Sequence, residues 1–276
     1  MKLTGARVLL TGASGGIGRC LALQLARRGA RLALLGRDPS RLEPVARDVR
    51  AAGASACCIA FDLARRDGHA GVVESAIAAI GGIDVLINNA GVSAFARYHQ
   101  SDPGAICSLI DSNLTGALLL TRAVLPHFVG RRAGHVVNVG SILGSVALPH
   151  FAAYCASKFA LRGFSEALRR ELAATGVRVT YVAPRTTATA MNNATVRKLF
   201  AATKAAIDTP EDVATGIVAA IEQQRKDVYF GWPESLIVRL NGILPRLVDR
   251  ALGRQTDFAE RLLHPQSAGE TPPRAG

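Results

Sequence analysis

Tyr154 and Lys158 stand four residues apart, and Ser141 lies thirteen residues before the tyrosine. On a helix, positions i and i+4 share one face, with Cβ atoms roughly 5–6 Å apart. An ammonium held there favours the phenolate and lowers a tyrosine pKa that is otherwise about 10. A phenol tuned toward neutral pH can give or take the proton of an alcohol–ketone interconversion. A second segment, Thr11-Gly12-Ala13-Ser14-Gly15-Gly16-Ile17-Gly18, offers a seat for a phosphorylated reactant. Gly12, Gly16 and Gly18 allow a tight turn and a close approach of main chain to a pyrophosphate at a helix N-terminus. Their spacing is Gly-x-x-x-Gly-x-Gly, not the Gly-x-Gly-x-x-Gly of the standard dinucleotide fingerprint, and a glycine loop by itself is only a flexible turn. Its place after Arg7-Val8-Leu9-Leu10 and before an apolar helical pattern makes the dinucleotide reading the stronger one.

Gly36-Arg37-Asp38 ends the next apolar run. A carboxylate at that point would bind the ribose diol of NAD, whereas an arginine can grip the 2′-phosphate of NADP. Asp38-Pro39-Ser40 reads as a helix start, with Asp38 or Ser40 near the cap. Arg37 is therefore the candidate phosphate ligand, and NADP(H) is favoured over NAD(H).

These residues need a scaffold. Short β-rich apolar runs at 6–11, 31–36, 56–61, 83–88, 134–140, 177–182 and 227–231 alternate with helical patterns near 16–29, 39–52, 70–80, 103–129, 153–175 and 210–224. Such alternation predicts an α/β fold, a doubly wound parallel sheet (Rossmann-type) of about seven strands, with helices on both faces. One domain is expected over 1–231, an amphipathic helical extension over 232–265, and a disordered tail over 266–276.

Composition narrows the class. Apolar residues make up 49% and charged ones 20%, which argues for a globular chain and against disorder. No cationic segment with an apolar run precedes the first strand, so no secretory signal is read and a cytoplasmic protein is expected. The five cysteines, Cys20, Cys57, Cys58, Cys107 and Cys155, are odd in number and lack metal-ligand spacing. They read as reduced thiols, with no metal site. The net charge of +12 comes from arginines spread along the chain, and aromatics total only 5%. Without a basic motif interleaved with aromatics, nucleic acid is not the expected partner. Attraction to phosphorylated cofactors, anionic lipid or an acidic carrier protein fits better.

Taken together, Thr11 to Gly18, Asp62-Leu63, Asn88-Asn89-Ala90-Gly91, Asn113, Ser141 and Tyr154-x-x-x-Lys158 resemble the short-chain dehydrogenase/reductase family over residues 5 to about 230. The resemblance implies that Tyr154 is the acid/base, that Ser141 hydrogen-bonds the substrate oxygen, and that Lys158 contacts the nicotinamide ribose while holding down the tyrosine pKa. Asn113 would anchor a water linking Lys158 to solvent. Gly12, Ser14, Gly15, Gly16, Ile17 and Gly18 would hold the pyrophosphate. Asp62 and Leu63 would flank the adenine, and Asn89, Ala90 and Gly91 would line the adenosine side. Asn88 would brace the sheet. Pro184, Thr187 and Thr189 would contact the cofactor, Thr189 at the carboxamide. A homodimer or homotetramer is implied.

One departure stands out. Where the family has Pro-Gly, this chain has Pro184-Arg185, and Thr187 replaces a β-branched apolar residue. A cation there could approach a substrate anion, alter substrate choice or point to solvent.

Ile142 to Phe151 is apolar and suits a lipophilic carbonyl or alcohol substrate, an expectation pointing to lipid metabolism; His150 is a weaker candidate contact. Leu236, Leu240, Ile243, Leu244, Leu247 and Ala251 form an apolar stripe flanked by Arg239, Arg246 and Arg250, with a kink expected at Pro245. Over 234–252 this basic helix could serve as a lid, an oligomer contact or a peripheral membrane contact. The expected activity is reversible NADP(H)-dependent reduction of a lipophilic carbonyl. The alternatives are a 3-oxoacyl reductase working on acyl carrier protein, and a non-catalytic NADP-binding regulator or scaffold.

Overall fold

Val8, Leu9 and Leu10, together with Leu32 to Leu35 and Val85 to Ile87, are apolar on both faces of their strands and fully buried. A strand covered by helices on each side has no wet face, so its sequence runs continuously apolar and its neighbours pair in parallel. The computed structural model describes residues 1–192, 194–202, 206–246 and 248. In chain order the elements are β1 (Arg7–Thr11), α1 (Gly16–Arg27), β2 (Arg31–Gly36), α2 (Pro39–Ala51), β3 (Ala56–Ala60), α3 (His69–Ile80), β4 (Val85–Asn88), α4 (Pro103–Ile110), α5 (Gly116–Gly130), β5 (Gly134–Val139), α6 (Ala152–Glu171), β6 (Val177–Ala183), α7 (Ala194–Ala202), α8 (Pro210–Glu222), β7 (Asp227–Tyr229) and α9 (Glu234–Ile243).

The strands form one seven-stranded parallel sheet in the order β3-β2-β1-β4-β5-β6-β7. One core lies between the sheet and α1, α2 and α8, through Leu21, Leu25, Leu42, Val45, Val213 and Ile217. The other lies against α3, α5 and α6, through Val72, Val73, Leu120, Val124, Phe128 and Leu168. Because β1 pairs with β2 on one side and β4 on the other, the order reverses there. The crevice that reversal opens at the carboxyl ends of the strands is where doubly wound sheets bind ligands. Beneath it, the Asn88 amide donates to Thr121 Oγ1 (3.0 Å) and Asn138 Oδ1 (2.8 Å), tying β4 to α5 and β5.

The structure departs from the expected elements in three places. The helix read over 103–129 is interrupted at Asp111–Thr115 by a π-helical turn, separating α4 from α5. Gly116 explains the fit: a Cβ there would lie 2.5 Å from the Leu63 carbonyl oxygen, so α5 approaches that loop too closely for a side chain. The short helix α7 had no expectation, because nine residues with only Val196 and Leu199 buried give little more than one turn of apolar spacing. In α9 the buried contacts come from Ile237 and Val238, while Leu236, Leu240, Ile243 and Leu244 are 36–75% exposed. Periodicity identified an apolar stripe there, but the face that meets the core is set by what α9 packs on, including the Asn241 amide donating to Ser145 O (2.8 Å). Leu247, Arg250, Ala251 and the expected tail lie outside the described residues.

Candidate active site

The glycine turn is built by cross-strand hydrogen bonds. Thr11 Oγ1, at the end of β1, accepts from Asn89 N and Ala90 N, both at 2.9 Å, and donates to Ile87 O. Asn89 Nδ2 donates to Thr11 O (3.0 Å) and Gly12 O (3.3 Å), so the loop after β4 holds the loop after β1. Gly12 takes a left-handed φ of 64°, and a Cβ on it would lie 2.8 Å from Ala90 Cα. A Cβ on Gly18 would collide with the Gly12 carbonyl, and one on Gly16 would lie 2.8 Å from Thr189 Cγ2. Helix α1 begins at Gly16 with Gly15 as its cap, and no side chain caps its first amides. Those amides and the positive end of the helix open on the cleft, a fitting cradle for a pyrophosphate.

At the far end, Arg37 and Arg41 are exposed and line the same cleft. The Asp38 carboxylate accepts from Ser40 N (2.9 Å) and Ser40 Oγ (2.6 Å), capping α2. Asp62 and Leu63 line the cleft from the loop after β3, with Asp62 Oδ1 accepting from Ala64 N. Asn89, Ala90 and Gly91 line the cleft, Gly91 close to the lysine: a Cβ there would meet Asn113 Oδ1 at 3.2 Å and Lys158 Nζ at 3.5 Å.

Tyr154 and Lys158 project from α6. The ammonium lies 5.8 Å from the centroid of the Tyr154 ring and donates to Val139 O at 3.1 Å. Sequence spacing led us to expect a phenol lowered by that ammonium. In the structure burial dominates instead. It pushes Tyr154 up to about 12, opposed by a hydrogen bond with Ser141, and pushes Lys158 down to about 8. The phenol accordingly keeps its proton at neutral pH and is poised to donate. Ser141 Oγ accepts from Leu143 N (3.1 Å), which leaves its own hydroxyl hydrogen to donate elsewhere. Cys155, beside the tyrosine, is buried with its thiol pushed up, as an inert packing residue would be.

Asn113 sits in the π-helical turn and is 1% exposed. Its Oδ1 accepts from Val92 N (2.7 Å), and its Nδ2 donates to Val92 O (2.9 Å) and Ser157 Oγ (3.2 Å). Ser157 Oγ in turn donates to Tyr154 O (2.7 Å). The amide thus locks the loop after β4 onto the first turn of α6. A regular helix would rotate Asn113 to another face, which is what the π turn alters.

Pro184, Thr187 and Thr189 line the cleft from the segment after β6, though the Thr187 hydroxyl is committed to Arg185 O (3.0 Å). Arg185 neither points to solvent nor reaches into the site as a free cation. Its guanidinium donates to Asp208 Oδ1 (3.0 and 2.8 Å) and to Glu234 Oε2 (3.2 Å). His150 packs edge-on against Phe95, with ring centroids 5.4 Å apart.

Sequence reading missed the far wall. Val196, Leu199 and Phe200 of α7 join Phe95, Leu143, Leu148, Phe151 and Tyr154 in one apolar cluster. It missed Arg41, in the first turn of α2 and four residues after Arg37, and Tyr181, buried in β6 beneath Ser141. The glycine turn, the loops after β2, β3, β4, β5 and β6, and α7 open on one cleft of about 1170 Å³, somewhat above the common range for ligand sites and roomy enough for two reactants.

The model for short chain dehydrogenases matches residues 6–199. The chain belongs to this family. As a short chain dehydrogenase it is an oxidoreductase that interconverts alcohols and carbonyls with a nicotinamide dinucleotide. It is 35% identical over 270 residues to the dehydrogenase/reductase SDR family member 7B of Bos taurus, covering 93% of this chain and 83% of that protein. It is 36% identical over 255 residues to the ketoacyl reductase HetN of a Nostoc species, covering 90% and 88%. Among solved structures, this dehydrogenase superposes on a metagenomic short-chain oxidoreductase in complex with NADP (TM-score 0.71, 34% identity, 83% of this chain and 97% of that one). It also superposes on a short chain dehydrogenase/reductase from Burkholderia phymatum in complex with NAD (TM-score 0.82, 27% identity, 90% and 96%).

Proposed function

We propose that this protein is an NADP(H)-dependent reductase of lipophilic ketones, reversible as a secondary-alcohol dehydrogenase. The observation that carries the reading is the convergence of Ser141, Tyr154 and Lys158 on an apolar-walled cleft whose other arm ends at the uncapped start of α1. A bound nicotinamide dinucleotide supplies the hydride. Tyr154 donates its phenolic proton to the carbonyl oxygen, and Ser141 donates a hydrogen bond to the same oxygen. Lys158 stabilises the phenolate left behind. With a pKa of about 8 it can also release a proton near neutral pH and return the tyrosine to its acid form.

Arg37 and Arg41 support the choice of NADP(H). They line the cleft without ion-pair partners among the described residues, while the nearby Asp38 carboxylate is engaged in capping α2. The apolar cluster of α7 and the loop before α6 supports a lipophilic substrate. So does Arg185: with its charge met by Asp208 and Glu234, it offers no docking point for a substrate anion. The deciding experiment is reduction of chain-length-graded ketones by the wild-type protein and by Tyr154→Phe. A variant that retains near-normal turnover sinks the assignment, as does tight NADP binding by the wild type without turnover of any carbonyl.

A second reading is reduction of 3-oxoacyl thioesters on an acyl carrier protein. The kinship to a ketoacyl reductase and the net charge of +12 favour it. Faster turnover of an acyl group on carrier protein than as the free ester would select it.

A further inference from the structure

Ser141 lies just beyond β5, where ordered sheet pairing stops. Gly140 N donates to Val182 O (2.7 Å) and Ile142 N to Pro184 O (2.9 Å), so the pairing to the β6 side skips the polar main-chain groups of Ser141. A side chain takes them over. Tyr181 Oη donates to Ser141 O at 3.2 Å and receives a long contact from Ser141 N at 3.5 Å. Gly144 N completes the carbonyl's partners at 2.9 Å. The Tyr181 ring is fully buried, with Tyr229 edge-on to it at 6.3 Å.

Two glycines make room for this phenol. A Cβ on Gly140 would overlap the Tyr181 ring, and one on Gly144 would lie 2.5 Å from the Tyr181 oxygen and 2.7 Å from Lys158 O. The loop carrying Ser141 is thus moulded around one hydroxyl. Ser141 is extended, at φ −164° and ψ 159°, and its Oγ takes its aim from the main chain that Tyr181 holds. Burial keeps the Tyr181 phenol well above the usual tyrosine range, so it stays a donor.

We propose that the Tyr181 hydroxyl is a positioning group that fixes the direction in which the Ser141 hydroxyl points during turnover. This rests on the reading above that Ser141 hydrogen-bonds the substrate oxygen. Tyr181 touches neither substrate nor cofactor and acts only through the Ser141 peptide.

The test is a double-mutant cycle in the full chain, with a ketone the wild type reduces and with dinucleotide affinity and Tm followed in parallel. Ser141→Ala is expected to lower kcat by roughly a hundredfold, as loss of an oxyanion donor does. Tyr181→Phe keeps the ring and is expected to lower kcat by roughly tenfold, the scale of one lost hydrogen bond, with substrate KM and dinucleotide affinity nearly unchanged. In the Ser141→Ala background the same substitution should cost less than about twofold, because there is no hydroxyl left to aim. para-Aminophenylalanine at position 181 restores a donor and should recover most of the loss. Multiplicative losses in the double variant, or an unchanged kcat in Tyr181→Phe, overturn the proposal. If Ser141→Ala itself turns over normally, the catalytic reading of Ser141 has failed instead. A Tyr181→Phe protein that fails to fold leaves the para-aminophenylalanine variant to decide: near-wild-type kcat supports the proposal, and a tenfold loss in a folded protein overturns it.

Discussion

Lys158 is 4% exposed, and burial lowers its pKa from 10.5 to about 8. At ~1.4 kcal/mol for each tenfold change in proton affinity, holding it charged costs the folded chain about 3 kcal/mol. Lys158→Met keeps the length and apolar stem but removes the charge. It also strips the Val139 carbonyl of its donor, which returns about 1–2 kcal/mol of that gain. The net expectation at pH 7 is a protein more stable by about 1–2 kcal/mol, or roughly 2–6 °C in Tm, with turnover lowered by orders of magnitude. The pH dependence has a definite sign. Below about 8 the lysine is charged in both folded and unfolded chains, and the whole cost is present. Between about 8 and 10.5 the folded protein holds it neutral while the unfolded chain keeps it charged, so the unfolded chain binds more protons and wild-type stability rises. The variant's advantage should therefore be full at pH 7, vanish at about pH 9 and reverse by pH 10.5, where only the missing donor to Val139 is left. Thermal melts of both proteins across that range, without dinucleotide, make the measurement. A variant less stable than wild type at pH 7, or a Tm difference that stays flat from pH 7 to 10.5, would refute the reasoning.

Gly18→Ala should abolish dinucleotide binding and cost about 1–3 kcal/mol of stability, since its Cβ meets the rigid Gly12 carbonyl; fluorescence titration and melts check both. Arg37→Ala and Arg41→Ala should each raise the KM for NADPH by roughly tenfold, the scale of a charge-assisted hydrogen bond, while leaving NADH kinetics alone; equal effects on both cofactors would contradict the 2′-phosphate role. Arg185→Gly leaves the half-buried Asp208 and Glu234 without their shared cation, at side-chain exposures of 16% and 23%. Stability should fall by about 1–2 kcal/mol, with the KM for ketone and for dinucleotide both rising. The segment Arg185 anchors carries part of the apolar wall and also Thr189, whose Cγ2 would lie 2.8 Å from a Cβ on Gly16 of the glycine turn.

Much of this protein is legible in its sequence. Continuous apolar runs such as Val8 to Leu10 become central parallel strands because no other environment suits them, and positional glycines mark where main chain must approach main chain. The Tyr154–Lys158 spacing fixed a shared helical face, since i and i+4 need only the helix itself.

What the chain order could not carry were the effects of neighbours remote in sequence. The direction of the Tyr154 shift depended on how much protein surrounds the phenol, not on the lysine one turn away. The task of Arg185 depended on Asp208 and Glu234 arriving from two later segments. The inner face of α9 was chosen by the surface it landed on. Tyr181 read as one more strand residue until the fold set its hydroxyl under Ser141, forty positions earlier. Local periodicity and turn chemistry act within a few residues and are written in the sequence; burial, charge pairing and hydrogen bonds across the sheet exist only once the chain has closed on itself.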